Sequence, residues 1–163
     1  MAALFLFTAL FGAIGIWAET HQNNNSNNTN SNQTKDNSKM LQGTQLSNFT
    51  PVAHVDSLQS TDTTVGTGAE AKASSTVTVN YTGAVAATGT IFQSSLDNGG
   101  QPVSFALNQV IKGWSEGVPG MKVGGTRRLL IPANLAYGAN PPAGSGIPAN
   151  ADLVFDITLL AVK

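Results

Sequence analysis

At 163 residues with a net charge of −1, the chain has room for one domain of ordinary size with residues to spare, and it offers no electrostatic case for binding nucleic acid. Only 10% of its residues are charged against a usual figure of about 25%, the balance being mainly Asn, Ser and Thr. There is no cysteine, which excludes thiol catalysis, disulfides and thiolate metal sites, and neither His21 nor His54 has a second ligand nearby in sequence for a zinc or Ser-His-Asp site.

Residues Ala2 to Ala18 form a run of apolar and small side chains, long for a core helix and short for a membrane span. Two readings stand open. The run has the length of a secretory signal's apolar region and ends on Ala18 before polar Glu19, but it lacks a basic start and Ile16 fits the A-x-A cleavage pattern poorly. The other reading is an uncleaved anchor with Trp17 at the interface. Either places the remainder outside the cytoplasm, periplasmic or secreted.

From Glu19 to about residue 50 the chain is rich in Asn, Gln, Ser and Thr, with almost no apolar residue before Met40-Leu41. Such a tract cannot bury enough surface to offset its ordering entropy, so a disordered tether is expected over 19–50. Asn24, Asn27, Asn32, Asn48 and Asn80 each open an N-x-Ser/Thr sequence, as a tract of this composition does by chance.

A folded domain is expected over 51–163. Val52, His54, Val55 and Leu58 read as a weak first strand, and Val65-Gly66-Thr67-Gly68 as a turn. Thr76 to Gly83 alternates, with Val77, Val79 and Tyr81 on one face and threonines and Asn80 on the other, which predicts a half-buried strand. Thr90 to Ser95 gives another strand and Val103-Ser104-Phe105-Ala106-Leu107 a third.

The stretch Asn108 to Met121 reads as a short helix of two or three turns, because Ile111, Trp114, Val118 and Met121 are spaced three, four and three apart and stack on one face. Pro119 and Gly120 stop it. Trp114 is the largest apolar body of the domain, and the pattern alone leaves it either plain core or the floor of a pocket.

Thr126 to Ile131 is a strand closed by Pro132. Arg127 and Arg128 point to its opposite faces and read as a solvated edge. Asn140 to Pro148 is a Pro/Gly loop of the kind that overhangs a site, and Leu153, Phe155, Ile157 and Leu159 mark the inward face of a long central strand. One short helix wrapped by an antiparallel sheet of about five strands makes an α+β domain.

Val79-Asn80-Tyr81-Thr82-Gly83, Gly89-Thr90-Ile91-Phe92, Val110 to Gly117, Met121 to Gly125, Leu135-Ala136-Tyr137-Gly138 and Leu153-Val154-Phe155-Asp156 resemble, in order and spacing, the FKBP-type peptidyl-prolyl cis-trans isomerases. The resemblance covers about residues 51–163 and implies an FKBP-like fold. It implies a proline pocket lined by Tyr81, Phe92, Val110, Ile111, Trp114, Tyr137, Ile147 and Phe155, with Trp114 as floor. It also implies that the Ile111 N–H and the Tyr137 hydroxyl bond ligand carbonyls. Gln93 stands where the family commonly carries Asp, and Val103 where an aromatic is usual.

The resemblance further implies rotamase activity on X-Pro bonds, with no cofactor and no metal. Expected partners are proline-containing unfolded or nascent chains, with macrolides such as rapamycin or tacrolimus as ligands. No nucleic acid is implied, and the membrane enters only through residues 1–18. The loop between Tyr137 and Ile147 leaves no room for the chaperone insert of some relatives, and the segment before Pro51 lacks their dimerising helix, so a monomer is expected. The alternative is a proline-peptide-binding or chaperone module with little turnover; a third reading makes Tyr81, Trp114 and Phe155 core alone. Asp97 and Glu116 read as surface residues without a catalytic part.

Overall fold

A computed structural model describes residues 40–163, so the expected leader at 1–18 and the tract up to residue 39 lie outside the described residues. Among the described residues the strands are β1 (Gln59–Thr64), β2 (Thr76–Val85), β3 (Ile91–Ser94), β4 (Val103–Ala106), β5 (Thr126–Ile131) and β6 (Leu153–Val162), and the one α-helix is α1 (Lys112–Gly117). They form one antiparallel sheet of six strands, ordered β1-β5-β6-β2-β3, with β4 also pairing β2. β6 holds one side of β2 along its length. β4 and β3 share the other side, β4 against Thr76–Val79 and β3 against Thr82–Ala84.

The period-two pattern decides which face becomes core. Val79 pairs with Leu159, Tyr81 with Ile157, Gly83 with Phe155 and Val85 with Leu153, so the inward faces of β2 and β6 coincide. Every one of the inward β6 side chains is fully buried. β1 is different. It is polar and exposed throughout, and this edge strand replaces the weak strand expected from Val52 to Leu58. A strand with no buried face leaves no alternation to read. Val55 is buried in the irregular run before it, its N–H donating to Asp152 Oδ2 at 2.8 Å.

α1 is shorter than its apolar spacing suggested. Ile111 and Val118 flank it, and Met121 lies beyond the turn. No side chain caps its start, and a six-residue helix is unstable alone, so its packing must hold it. Gly113 and Gly117, four apart, provide the seat. A Cβ at Gly113 would lie 2.4 Å from Ile131 Cγ2, and one at Gly117 2.9 Å from Leu129 Cδ2, so the helix backbone rests directly on β5.

The expected solvated arginine edge is corrected here. β5 lies between β1 and β6, and both arginines are engaged. Arg127 grips Asp62 through Nε at 2.6 Å and Nη2 at 2.9 Å, and Nη1 donates to Gly117 O at 2.8 Å and Pro119 O at 3.2 Å, closing the end of α1. On the opposite face Arg128 holds both Asp156 oxygens at 2.7 Å.

The packed body also begins earlier than the boundary expected at Pro51. Leu46 is buried with Ala84, Ile91 and Val154 in a second apolar cluster on the outer face of the sheet, and Leu41, Phe49 and Leu130 pack against it. The polar composition of 41–50 hides these few apolar side chains. Among the described residues no helix is long and apolar enough to cross a membrane.

Candidate active site

The inward face of the sheet carries the aromatic residues, and α1 brings Trp114 down onto them. Trp114 and Phe155 are both fully buried, with ring centroids 5.4 Å apart at 89°. Tyr81 lies 6.4 Å from Phe155 at a tilt of 45°, while Tyr81 meets Trp114 edge-on at 5.6 Å and Phe92 meets Phe155 edge-on at 5.7 Å. Edge-to-face contacts of this kind contribute about 0.5–1.5 kcal/mol each beyond burial. Val110, Ile111 and Ile147 belong to the same buried cluster, and half-buried Val103 and Tyr137 pack against it.

Phe92 reaches the site, with half-buried Gln93 next to it in the chain, at a defect in the ladder. Ile91 pairs with Ala84 and Gln93 with Gly83, so β3 carries an extra residue there. Gly83 leaves the necessary space, because a Cβ on it would sit 2.6 Å from Phe155 Cε1 and 2.7 Å from Phe92 Cζ. The loop before β6 closes from the other side: Ile147 N–H donates to the buried Ser145 Oγ at 3.2 Å, and a Cβ at Gly146 would be 3.9 Å from Phe92 Cβ.

Three neighbours support the site without standing out as site residues in the sequence. Phe105 stands edge-on to Trp114 at 5.5 Å and to Tyr81 at 5.8 Å. Buried Ser94 and Ser95 hold the Tyr81 backbone, Ser95 Oγ accepting from Tyr81 N–H at 3.1 Å and Ser94 Oγ donating to Tyr81 O at 3.3 Å. Two adjacent hydroxyls closing an apolar strand are the signal that points to them. Asp97 is half-buried and accepts backbone N–H groups from Leu41 and Gln42, whereas Glu116 is exposed.

The polar atoms of the site are few. The Tyr137 hydroxyl and the Trp114 indole Nε1 are buried with no hydrogen-bond partner in the protein. Burial pushes the Tyr137 phenol up to about 12, and burial with the neighbouring Tyr137 phenol raises Tyr81 further still. Both phenols are therefore neutral donors across the physiological range. The Ile111 carbonyl is engaged by Trp114 and Ser115 N–H at 3.0 and 3.2 Å.

No group of three His, Asp or Glu side chains gathers as a metal site among the described residues. His54 instead pairs with Asp152 at 2.9 Å, and that carboxylate also accepts from Val55 and Ala133 N–H. A separate cleft of about 70 Å³ lies between Asp62, Thr64 and Gly66 on one side and Gly120, Lys122 and Gly125 on the other. Val65 and Met121 also line it but no aromatic ring does, so the aromatic cluster is the better candidate site.

A buried aromatic site with neutral donors, and with no paired carboxylate beside it among the described residues, suits a protein that works by non-covalent recognition. Residues 68–160 match the family model of the FKBP-type peptidyl-prolyl cis-trans isomerases, and the chain belongs to that family. It is 54% identical over 99 residues to the FKBP-type peptidyl-prolyl cis-trans isomerase FkpA of Aeromonas hydrophila, covering 61% of this chain and 35% of that protein. A probable FK506-binding protein of Corynebacterium glutamicum is 50% identical over 101 residues, 61% of this chain and 82% of its own. The crystal structure of FkpA from Escherichia coli superposes with a TM-score of 0.58 at 45% identity, over 65% of this chain and 48% of that one. The chain thus spans about a third of the Aeromonas relative's length.

Proposed function

We propose that this chain is a working peptidyl-prolyl cis-trans isomerase whose substrates are X-Pro bonds in unfolded or newly exported polypeptides. An X-Pro bond faces a rotation barrier of about 18–20 kcal/mol and relaxes over tens to hundreds of seconds unaided. No bond to carbon need form or break. The twisted amide loses resonance and polarity, so an apolar enclosure with fixed donors stabilises it above the planar ground state. A thousandfold acceleration needs only about 4 kcal/mol of that difference.

In this reading Phe92, Trp114 and Phe155 hold the proline ring, with Tyr81, Val103, Val110 and Ile147 completing the wall. The Ile111 N–H and Tyr137 hydroxyl fix carbonyls, and Gln93 supplies a neutral amide contact. The observation that carries the proposal is the Tyr137 hydroxyl, buried beside the aromatic cluster with no partner in the protein. An unpaired buried hydroxyl costs about 1–3 kcal/mol, which a ligand carbonyl would recover. Export rests on the apolar run at residues 1–18, as signal or anchor, and the chaperone role rests on the class of substrate. Macrolides such as rapamycin or tacrolimus are the proposed competing ligands, and the working unit is proposed to be a monomer.

The test is cis-to-trans relaxation of a short X-Pro peptide with the full chain, with and without rapamycin, beside Tyr137→Phe, Phe155→Leu and Gln93→Asp. Acceleration that rapamycin abolishes and that Tyr137→Phe and Phe155→Leu reduce supports the assignment, and a gain in Gln93→Asp measures what the neutral amide withholds. A folded chain that gives no acceleration overturns it and leaves a proline-binding module, read by Trp114 fluorescence.

A further inference from the structure

The aromatic site depends on β3, and β3 is weakly held by its own sheet. It is four residues long, lies at the end of the strand order, and pairs with β2 through three residues across a bulge. Its outer side is occupied by a segment of the chain's own N-terminal region. Residues 41–49 run antiparallel to β3 and are tied to it at three levels.

Before β3 begins, Leu46 N–H donates to Gly89 O at 2.8 Å and Gln45 bridges to Thr90. At its first residue, Ile91 N–H donates to Thr44 O and Ile91 O accepts from Gly43 N–H, each at 2.8 Å. Past its end, the Asp97 carboxylate accepts from Leu41 N–H at 2.5 Å and Gln42 N–H at 3.0 Å. Both main-chain polar groups of Ile91, the residue immediately before Phe92 and Gln93, are therefore satisfied by this segment. Leu46 adds an apolar clamp by burying itself against Ile91. The far end is fastened too: Arg128 Nη1 donates to Asn48 O at 2.6 Å, and its guanidinium lies 5.4 Å from the Phe49 ring centroid.

We propose that residues 41–49 form a positioning strap for the site, latched by Asp97, which fixes the rotation of β3 and so the placement of Phe92 and Gln93. This rests on the isomerase reading above. Release of the strap leaves the Ile91 N–H and C=O unpaired on a bulged edge strand, and the next two residues lose their fixed aim at Phe155 and Gly83. Asp97 acts through the strap and touches no substrate.

The test uses the full chain as wild type, Asp97→Ala and Asp97→Asn, all well below their melting midpoints. Asp97→Ala is expected to speed hydrogen exchange at the Ile91 amide and to lower kcat on an X-Pro peptide about tenfold, since misplacement by an ångström costs up to about a hundredfold in a positioned site. Asp97→Asn keeps one acceptor oxygen for one of the two N–H groups, and its exchange and rate should fall between wild type and Asp97→Ala. Unchanged Ile91 exchange in Asp97→Ala, or faster exchange with kcat and KM unmoved, overturns the proposal. If the wild-type chain itself gives no acceleration, the isomerase reading fails separately. The strap is then judged on the Kd of a proline peptide followed by Trp114 fluorescence, expected about fivefold weaker in Asp97→Ala on the same placement argument. Equal Kd values, or no binding by either chain, overturn it.

Discussion

Gly83 and Phe155 face each other across β2 and β6 with no room for a methyl group between them, a Cβ on Gly83 falling 2.6 Å from Phe155 Cε1. The same Cβ would fall 2.7 Å from Phe92 Cζ. Gly83→Ala must therefore displace both rings. The expected loss is about 1–3 kcal/mol of stability, as for other overpacked cores, together with a fall in kcat/KM. A denaturation midpoint and turnover equal to wild type would show that the rings yield freely.

Tyr137→Phe should separate stability from binding. Its hydroxyl has no partner in the protein, so removing it is expected to leave folding stability within about 0.5 kcal/mol of wild type, or to raise it. Affinity for a proline ligand should nevertheless fall roughly three- to tenfold, the equivalent of one lost hydrogen bond. A clear drop in melting midpoint with unchanged affinity would assign the hydroxyl to the fold.

Activity should be flat between about pH 5 and 9, because the phenols are the titratable groups of the site and burial raises both. The stability signs differ at the two ends. An unfolded tyrosine loses its proton near pH 10 while Tyr137 keeps it to about 12, so that contribution is complete below pH 10 and is lost between 10 and 12. At the acid end, the Arg127 hydrogen bond lowers Asp62. Desolvation would raise Asp152, but it is outweighed by hydrogen bonds from Val55, Ala133 and His54. Their contributions are present above the ordinary value of 3.8 and disappear as pH falls through the lower folded values. Melting midpoints from pH 2 to 11, beside turnover from 5 to 9, check both limbs.

Arg127→Lys is not a conservative change here. The guanidinium grips two Asp62 oxygens and the carbonyls of Gly117 and Pro119 at the end of α1, and a single ammonium cannot reach all four. A loss of about 1–2 kcal/mol in urea denaturation is expected, and a midpoint equal to wild type would reduce the network to a surface pair.

The parts of the fold with one buried face were legible in the sequence. Val77, Val79 and Tyr81 alternate, Leu153 to Leu159 alternate, and the structure lays these faces against each other. β1 was not legible because neither of its faces is buried, and the segment 41–49 was hidden by polar neighbours around Leu41, Leu46 and Phe49. For the candidate site, the aromatic residues announced themselves through their family motifs. The bulge that sets Phe92 against Gly83 is a property of strand pairing, which no local pattern encodes. Likewise the arginines misread as an edge because their partners Asp62 and Asp156 are 65 and 28 residues away.

α1 has six residues, no side-chain cap at its start, and a seat of two glycines pressed on Ile131 and Leu129. Nothing in it is helical on its own account, so the indole of Trp114 reaches the other rings only when β5 and β6 are already assembled. On the proposed function, ligand capture therefore depends on the assembly of these strands: a molecule in which β5 or β6 has come away has no weakened site but none at all. On the same proposal, a proline ligand is expected to protect the whole domain at once, and its apparent dissociation constant to gauge how much of the population is native.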